Sequence, residues 1–152
     1  MNLAPDPPPT DEQRVAGYVA IICHRYDAIT DREPWKRLSR KDRLDHLPPL
    51  LDCLLRAALL PDADGHARRE TLDNALIHGE HRRAQQFDEE VLLEEYSVLR
   101  DQMHRVLRSH HDVEGASNIM RRTDPLVTEA TVASLRGFHG LPLDEAPGAA
   151  ES

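Results

Sequence analysis

Apolar residues recur along this chain at three- and four-residue intervals, and each run is bounded by residues that start or stop helices. After a proline-rich opening, Val15, Tyr18, Val19, Ile22 and Tyr26 form one stripe, capped by Thr10 or Asp11 and fading near Asp27, which predicts a first helix. Ser39, with Asp42 three positions on, offers a capping-box-like start for a second. Pro48 and Pro49 interrupt that pattern, yet Leu50, Leu51, Leu54, Leu55, Ala58 and Leu59 continue it, so a restart with proline in the first turn is expected. The breaker run 61–65 separates this from a third segment carrying Leu72, Ala75 and Leu76, which ends near Gln85 or Gln86. From Asp88 to about Ser109 a long stripe follows, with Glu89 and Glu90 at its positive amino end and Arg105 and Arg108 at its carboxyl end. A last helix from roughly Glu114 to Arg136 carries Ile119, Met120, Leu126, Val127 and Ala130, with a kink or restart expected near Thr123-Asp124 because Pro125 lacks an N–H.

Short connections favour antiparallel neighbours, so the expected fold is all-α, an antiparallel up-down bundle of four core helices plus an accessory helix. Residues 1–10 read as a flexible proline-rich tail, 11–137 as a single bundle, and 138–152 as a flexible acidic tail. Composition agrees: aromatics make up 4% and charged residues 30% of the 152 positions, a balance that favours helices over strands.

A net charge of −8 argues against DNA, RNA or an anionic membrane surface as partner, since each is bound through clustered cations. No uncharged run is long enough to span a bilayer, and the amino terminus lacks the basic and apolar regions of a signal peptide, so a cytoplasmic protein is expected. Cys23 and Cys53 fall within helical patterns and read as buried thiols of a reducing compartment.

Two residues break the pattern of a plain bundle. Gly79 interrupts a helix, where it costs about 1 kcal/mol against alanine, so a close approach to a neighbouring helix or a ligand is the expected motive. Glu95 lies on the apolar stripe between Leu92 and Val98. A hairpin turning near Gln86 sets His78 opposite Glu94 or Glu95, and Arg82 opposite Glu90 or Val91. An unpaired buried carboxylate is costly, which predicts that His78, Arg82 or an arginine from another helix meets Glu95. Such a group is either a clamp that fixes helix register or part of a ligand site, and Arg100 is open to the same two readings.

Nine histidines raise the question of a metal, yet no Glu-x-x-His pair occurs, so neither a metal nor another cofactor is expected. A metal or haem carrier using His46, His78 and Glu95 is one alternative, and phosphoryl transfer through His78 or His81 another. No nucleophile, base and orienting group share a telling spacing, so an enzyme is not expected.

The run Leu38-Ser39-Arg40-Lys41-Asp42-Arg43-Leu44-Asp45-His46-Leu47-Pro48-Pro49-Leu50-Leu51-Asp52, followed by His78-Gly79, Arg82, Phe87, Glu95-Tyr96 and Leu99-Arg100, resembles the RsbRD-type amino-terminal sensory domain. That family comprises co-antagonists of the bacterial stressosome and input modules of some sensor histidine kinases, and the resemblance runs from about residue 12 to 137. It implies a helical input domain coupled to an output domain. No output domain follows Gly137, so a free-standing version or the input half of a larger system is expected, acting as a homodimer or by docking on a protein signalling partner such as a kinase, an anti-sigma factor or a stressosome-like component. The site expected on this reading is a ligand-binding or switch cluster of His46, His78, Arg82, Glu95, Tyr96 and Arg100.

Overall fold

A computed structural model describes residues 4–60 and 65–143. Every regular element among them is helical: α1 (Asp11–Ile29), a 3-10 turn (Trp35–Arg37), α2 (Arg40–Leu44), α3 (Leu47–Leu59), α4 (His66–Ala84), α5 (Glu89–His110) and α6 (Val113–Phe138). Two of the caps, Thr10 and Ser39, are those expected from the sequence. Thr10 and Gln13 exchange hydrogen bonds in a full capping box at the start of α1, and Ser39, Asp88 and Asp112 each accept a backbone N–H at α2, α5 and α6. Pro48 and Pro49 occupy the first turn of α3, where their missing N–H groups would have had no intrahelical partner, so the expected restart is observed.

The last helix differs from expectation. It does not restart at Thr123-Asp124 but runs through Pro125 without a break. Pro125 faces solvent, whereas Thr123, Leu126 and Val127 on either side are buried and hold both halves to one core. The helix also passes the expected boundary at residue 137: Phe138 is still helical, its ring is buried, and Arg83 lies over it. The segment 139–143 turns back, with Leu141 N–H donating to the Arg136 carbonyl. The remainder of the expected acidic tail and residues 61–64 lie outside the described residues.

Side-chain links between helices give their directions. Arg43 to Asp27 sets α2 against the end of α1, and Arg56 to Glu12 sets the end of α3 against the start of α1; Asn74 to Cys53 sets α4 against α3; His104 to Asp124 and Tyr96 to Ser134 set α6 against α5. Successive long helices therefore alternate up and down, as a bundle with short connections should. One aspect does not follow from loop length. α4 and α5, joined by a tight turn, make little backbone-to-backbone contact, while α4 lies closest to its parallel neighbour α6.

Glycines explain that choice. A Cβ on Gly79 would stand 1.8 Å from the Ser134 carbonyl oxygen, and one on Gly137 would stand 2.1 Å from the Leu76 carbonyl oxygen. Each helix presents a hydrogen atom where any other residue would present a Cβ, and the backbones close to a distance at which no Cβ fits. Gly79 thus serves a helix contact, one of the two motives its position suggested.

The core is mostly leucine. Val15, Tyr18, Ile22 and Tyr26 of α1, Leu50, Leu51, Leu54 and Leu55 of α3, Leu92, Leu99 and Met103 of α5, and Leu126, Val127 and Ala130 of α6 form one buried cluster. Burying side chains of this kind contributes about 1.5–3 kcal/mol each. Cys23 and Cys53 are free thiols on α1 and α3.

Candidate functional site

The most heavily buried charges sit where α4 and α5 diverge. Glu95 is 0% exposed, His78 1% and Arg82 2%. The Glu95 carboxylate accepts from three side chains on two elements, the 3-10 turn and α4. The Trp35 indole Nε1–H donates to Oε2 at 3.1 Å, Arg82 Nε–H reaches both oxygens at 3.1 and 3.3 Å, and His78 Nε2 bonds Oε1. A carboxylate can only accept, so His78 Nε2 carries the shared proton, and its Nδ1 is left enclosed with no partner.

Burial alone would raise the Glu95 pKa, but His78 and Arg82 outweigh it and hold the carboxyl at about 2, against an ordinary 4.5. The group is therefore ionised inside the core. The Tyr26 hydroxyl is within electrostatic reach of Glu95 and Arg82, and its phenol is pushed far above the ordinary range, first by burial and then by the Glu95 charge.

Arg82 also ties this centre to the chain that crosses it. Its NH2 donates to the Arg43 carbonyl at 2.8 Å, its NH1 to Gln85 Oε1 at 2.7 Å, and NH1 makes a longer bond to the Asp42 carbonyl. The end of α2 is thus capped by a side chain from α4. Arg43 in turn bonds Asp27 and the Thr30 carbonyl, which anchors the same crossing segment to α1.

The turn between α4 and α5 places Phe87. Gln86 takes the left-handed conformation at φ 63°, with Phe87 N–H bonding the Arg82 carbonyl and Gln86 N–H the Arg83 carbonyl, the two bonds of a Schellman motif. The Phe87 ring then lies under the guanidinium groups of Arg37 and Arg82, at 4.4 and 5.6 Å.

Of the six residues expected in one cluster, the structure joins three directly: His78, Arg82 and Glu95. Tyr96 is next to them. Its ring stands edge-on to His78 at 6.1 Å, and its hydroxyl bonds Ser134 Oγ, which itself donates to the Ala75 carbonyl. His46 is set apart, stacked on His81 with ring centroids 3.7 Å apart, and its pKa is lowered by burial first and by His81 second. Arg100 points elsewhere, into a groove between α5 and α6, where it bonds Thr128. Five residues beyond Glu95 is roughly 140° around the helix, which accounts for the separation.

Sequence reasoning missed Trp35, Tyr26, Ser134 and Gln85. Tyr26 was on the α1 stripe and read as core; Trp35 sits in a polar stretch with no period at all. Among the described residues, no three His, Cys, Asp or Glu side chains are grouped so as to hold a metal ion. His78 is enclosed, so of the two histidines considered for phosphoryl transfer only His81 reaches solvent. No helix of the described residues is long and apolar enough to cross a membrane. No protein-family model, curated protein or solved structure matches the chain.

Proposed function

We propose that this chain is a non-enzymatic signal-input bundle of the RsbRD-type kind, acting in the cytoplasm through a homodimer or a separate signalling protein such as a kinase, an anti-sigma factor or a stressosome-like component. The observation that carries the reading is the ionised Glu95, wholly buried, which bridges two helices whose backbones otherwise make little contact. Packed apolar surfaces fix a helix pair in one arrangement. A charged junction can be satisfied in a second one, provided each donor finds another acceptor, and that is the property a two-state input element needs.

The local connections favour the same reading. Arg82 joins Glu95 to the end of α2, and Trp35 joins it to the 3-10 turn, so a shift of α5 against α4 is felt at once by the segment 30–46. A partner that reads this surface would sense the packing inside.

The test is a search for the second arrangement. Relaxation dispersion on 15N-labelled protein should show microsecond-to-millisecond exchange at amides of α4, α5 and the 3-10 turn, with populations altered in Glu95→Gln. Flat profiles in both proteins, with Glu95→Gln merely less stable, would make the cluster a fixed clamp and sink the proposal.

A further inference from the structure

We infer that the groove between α5 and α6 is a binding site for a small organic carboxylate with a short apolar tail. The groove measures about 280 Å³ and is lined by Leu93, Tyr96, Ser97 and Arg100 of α5 and by Val127, Thr128, Thr131 and Val132 of α6. Its role as a stimulus site rests on the input-domain reading above; the binding itself does not.

Charge comes first. Arg100 has a single hydrogen bond, from NH2 to Thr128 Oγ1 at 2.9 Å, and its Nε–H is enclosed without an acceptor. It makes no ion pair among the described residues, in a chain whose net charge is −8. The enclosed Nε–H is out of reach of the groove, but NH1 has no acceptor among the described residues, and the two terminal nitrogens of a planar guanidinium match a carboxylate with two parallel bonds. Ser97, one turn before Arg100 and exposed, adds a hydroxyl that can donate to the same anion.

Shape and polarity then restrict the class. Leu93 and Val132 leave apolar surface open to water, 44% and 52% exposed, and Val127 backs the same cavity. One cation between apolar walls suits a monoanion with a hydrocarbon tail better than a phosphate dianion, which calls for more donors. The volume is just under the range of about 300–1,000 Å³ usual for drug-sized ligands, so the tail is short.

The groove also has a route inward. Tyr96 lies between the cavity and the core, and its hydroxyl reaches Ser134, whose carbonyl abuts Gly79 on α4. An occupant resting on Tyr96 presses on the residue next to Glu95.

The experiment is an NMR titration of the full chain with sodium butyrate, with butylamine hydrochloride, sodium chloride and inorganic phosphate as controls. Butyrate should give saturable shifts centred on Ser97, Arg100, Thr128 and Val132 and reaching Tyr96. Arg100→Met should weaken it about tenfold or more, the loss expected for one charge-assisted pair, and the exposed Ser97→Ala should weaken it less. Butylamine should do nothing. Equal shifts with chloride or phosphate, unsaturable shifts, or unchanged affinity in a folded Arg100→Met would each overturn the inference. Glu95 does not line the groove, so Glu95→Gln should still bind butyrate; retained binding alongside flat relaxation profiles would reject the input reading and leave the site in place.

Discussion

On its α6 side, α4 is fixed by contact between backbones: Gly79 lies against the Ser134 carbonyl and Gly137 against that of Leu76, with no room for a methyl group in either place. On its α5 side, the same helix is held by a single carboxylate that two side chains of α4 share with the Trp35 indole. The first contact depends on shape, falls off steeply with distance and has one solution. The second depends on charge and hydrogen bonds, acts over a longer range, and changes with protonation. One helix thus has a rigid seam and an adjustable one, and a bundle that must both fold uniquely and respond to a stimulus has use for each.

Removing the acceptor should have the largest effect. Glu95→Ala leaves His78, Arg82 and the Trp35 N–H buried without their common partner, and should cost about 3–5 kcal/mol in urea unfolding. A loss of less than 1 kcal/mol would mean the junction contributes little to holding α4. The pH profile sharpens the point. Glu95 has a folded pKa of about 2, below its ordinary 4.5, so its contribution is complete above about pH 4.5 and disappears as pH falls toward 2. Wild-type stability should decline across that window more steeply than that of Glu95→Gln.

The rigid seam comes next. Gly79→Ala improves helix propensity by about 1 kcal/mol, yet the clash with Ser134 forces the helices apart, and a net loss of about 2–3 kcal/mol is expected by the same measurement. A stabilised variant would show that the seam can open at no cost. Tyr96→Phe removes the hydrogen bond to Ser134 and should cost about 1 kcal/mol, read from the thermal midpoint. The smallest change is expected next door, at Glu94. Its pair with Arg32 is about half exposed on both sides, so Glu94→Ala should cost roughly 0.5 kcal/mol or less. If Glu94→Ala matched Glu95→Ala, burial would not be what separates the two carboxylates.

Much of this architecture was legible in the order of residues. Stripe periodicity and caps gave the long helices, and the breakers gave most of their ends, because both signals are local. Glu95 was legible because a carboxylate on an apolar stripe must be met by something, and counting back from Gln86 found His78. The same counting placed Arg82 opposite Glu90 or Val91. In the structure it reaches Glu95 instead, since the two helices diverge from their turn and a long side chain spans the gap.

What escaped was non-local. Gln86 takes the left-handed turn position that glycine would have advertised. Trp35 lies in a segment whose only order comes from what it covers. The parallel α4 and α6 seam needs two glycines 58 residues apart, Gly79 and Gly137, each unremarkable without the other. Pro125 announced a break that did not occur, because burial on both sides outweighed one missing hydrogen bond on the solvent face.

Trp35 is the sole tryptophan of the chain, and its indole N–H ends on the Glu95 carboxylate. The protein therefore carries its own optical probe at the one place where change is expected. Excited at the red edge of the indole band, the native chain emits from a single, water-free site beside a fixed negative charge. Any rearrangement of the junction alters both the polarity and the charge that this ring experiences, so emission wavelength and lifetime follow the buried carboxylate directly, without a label and without disturbing the contacts being watched.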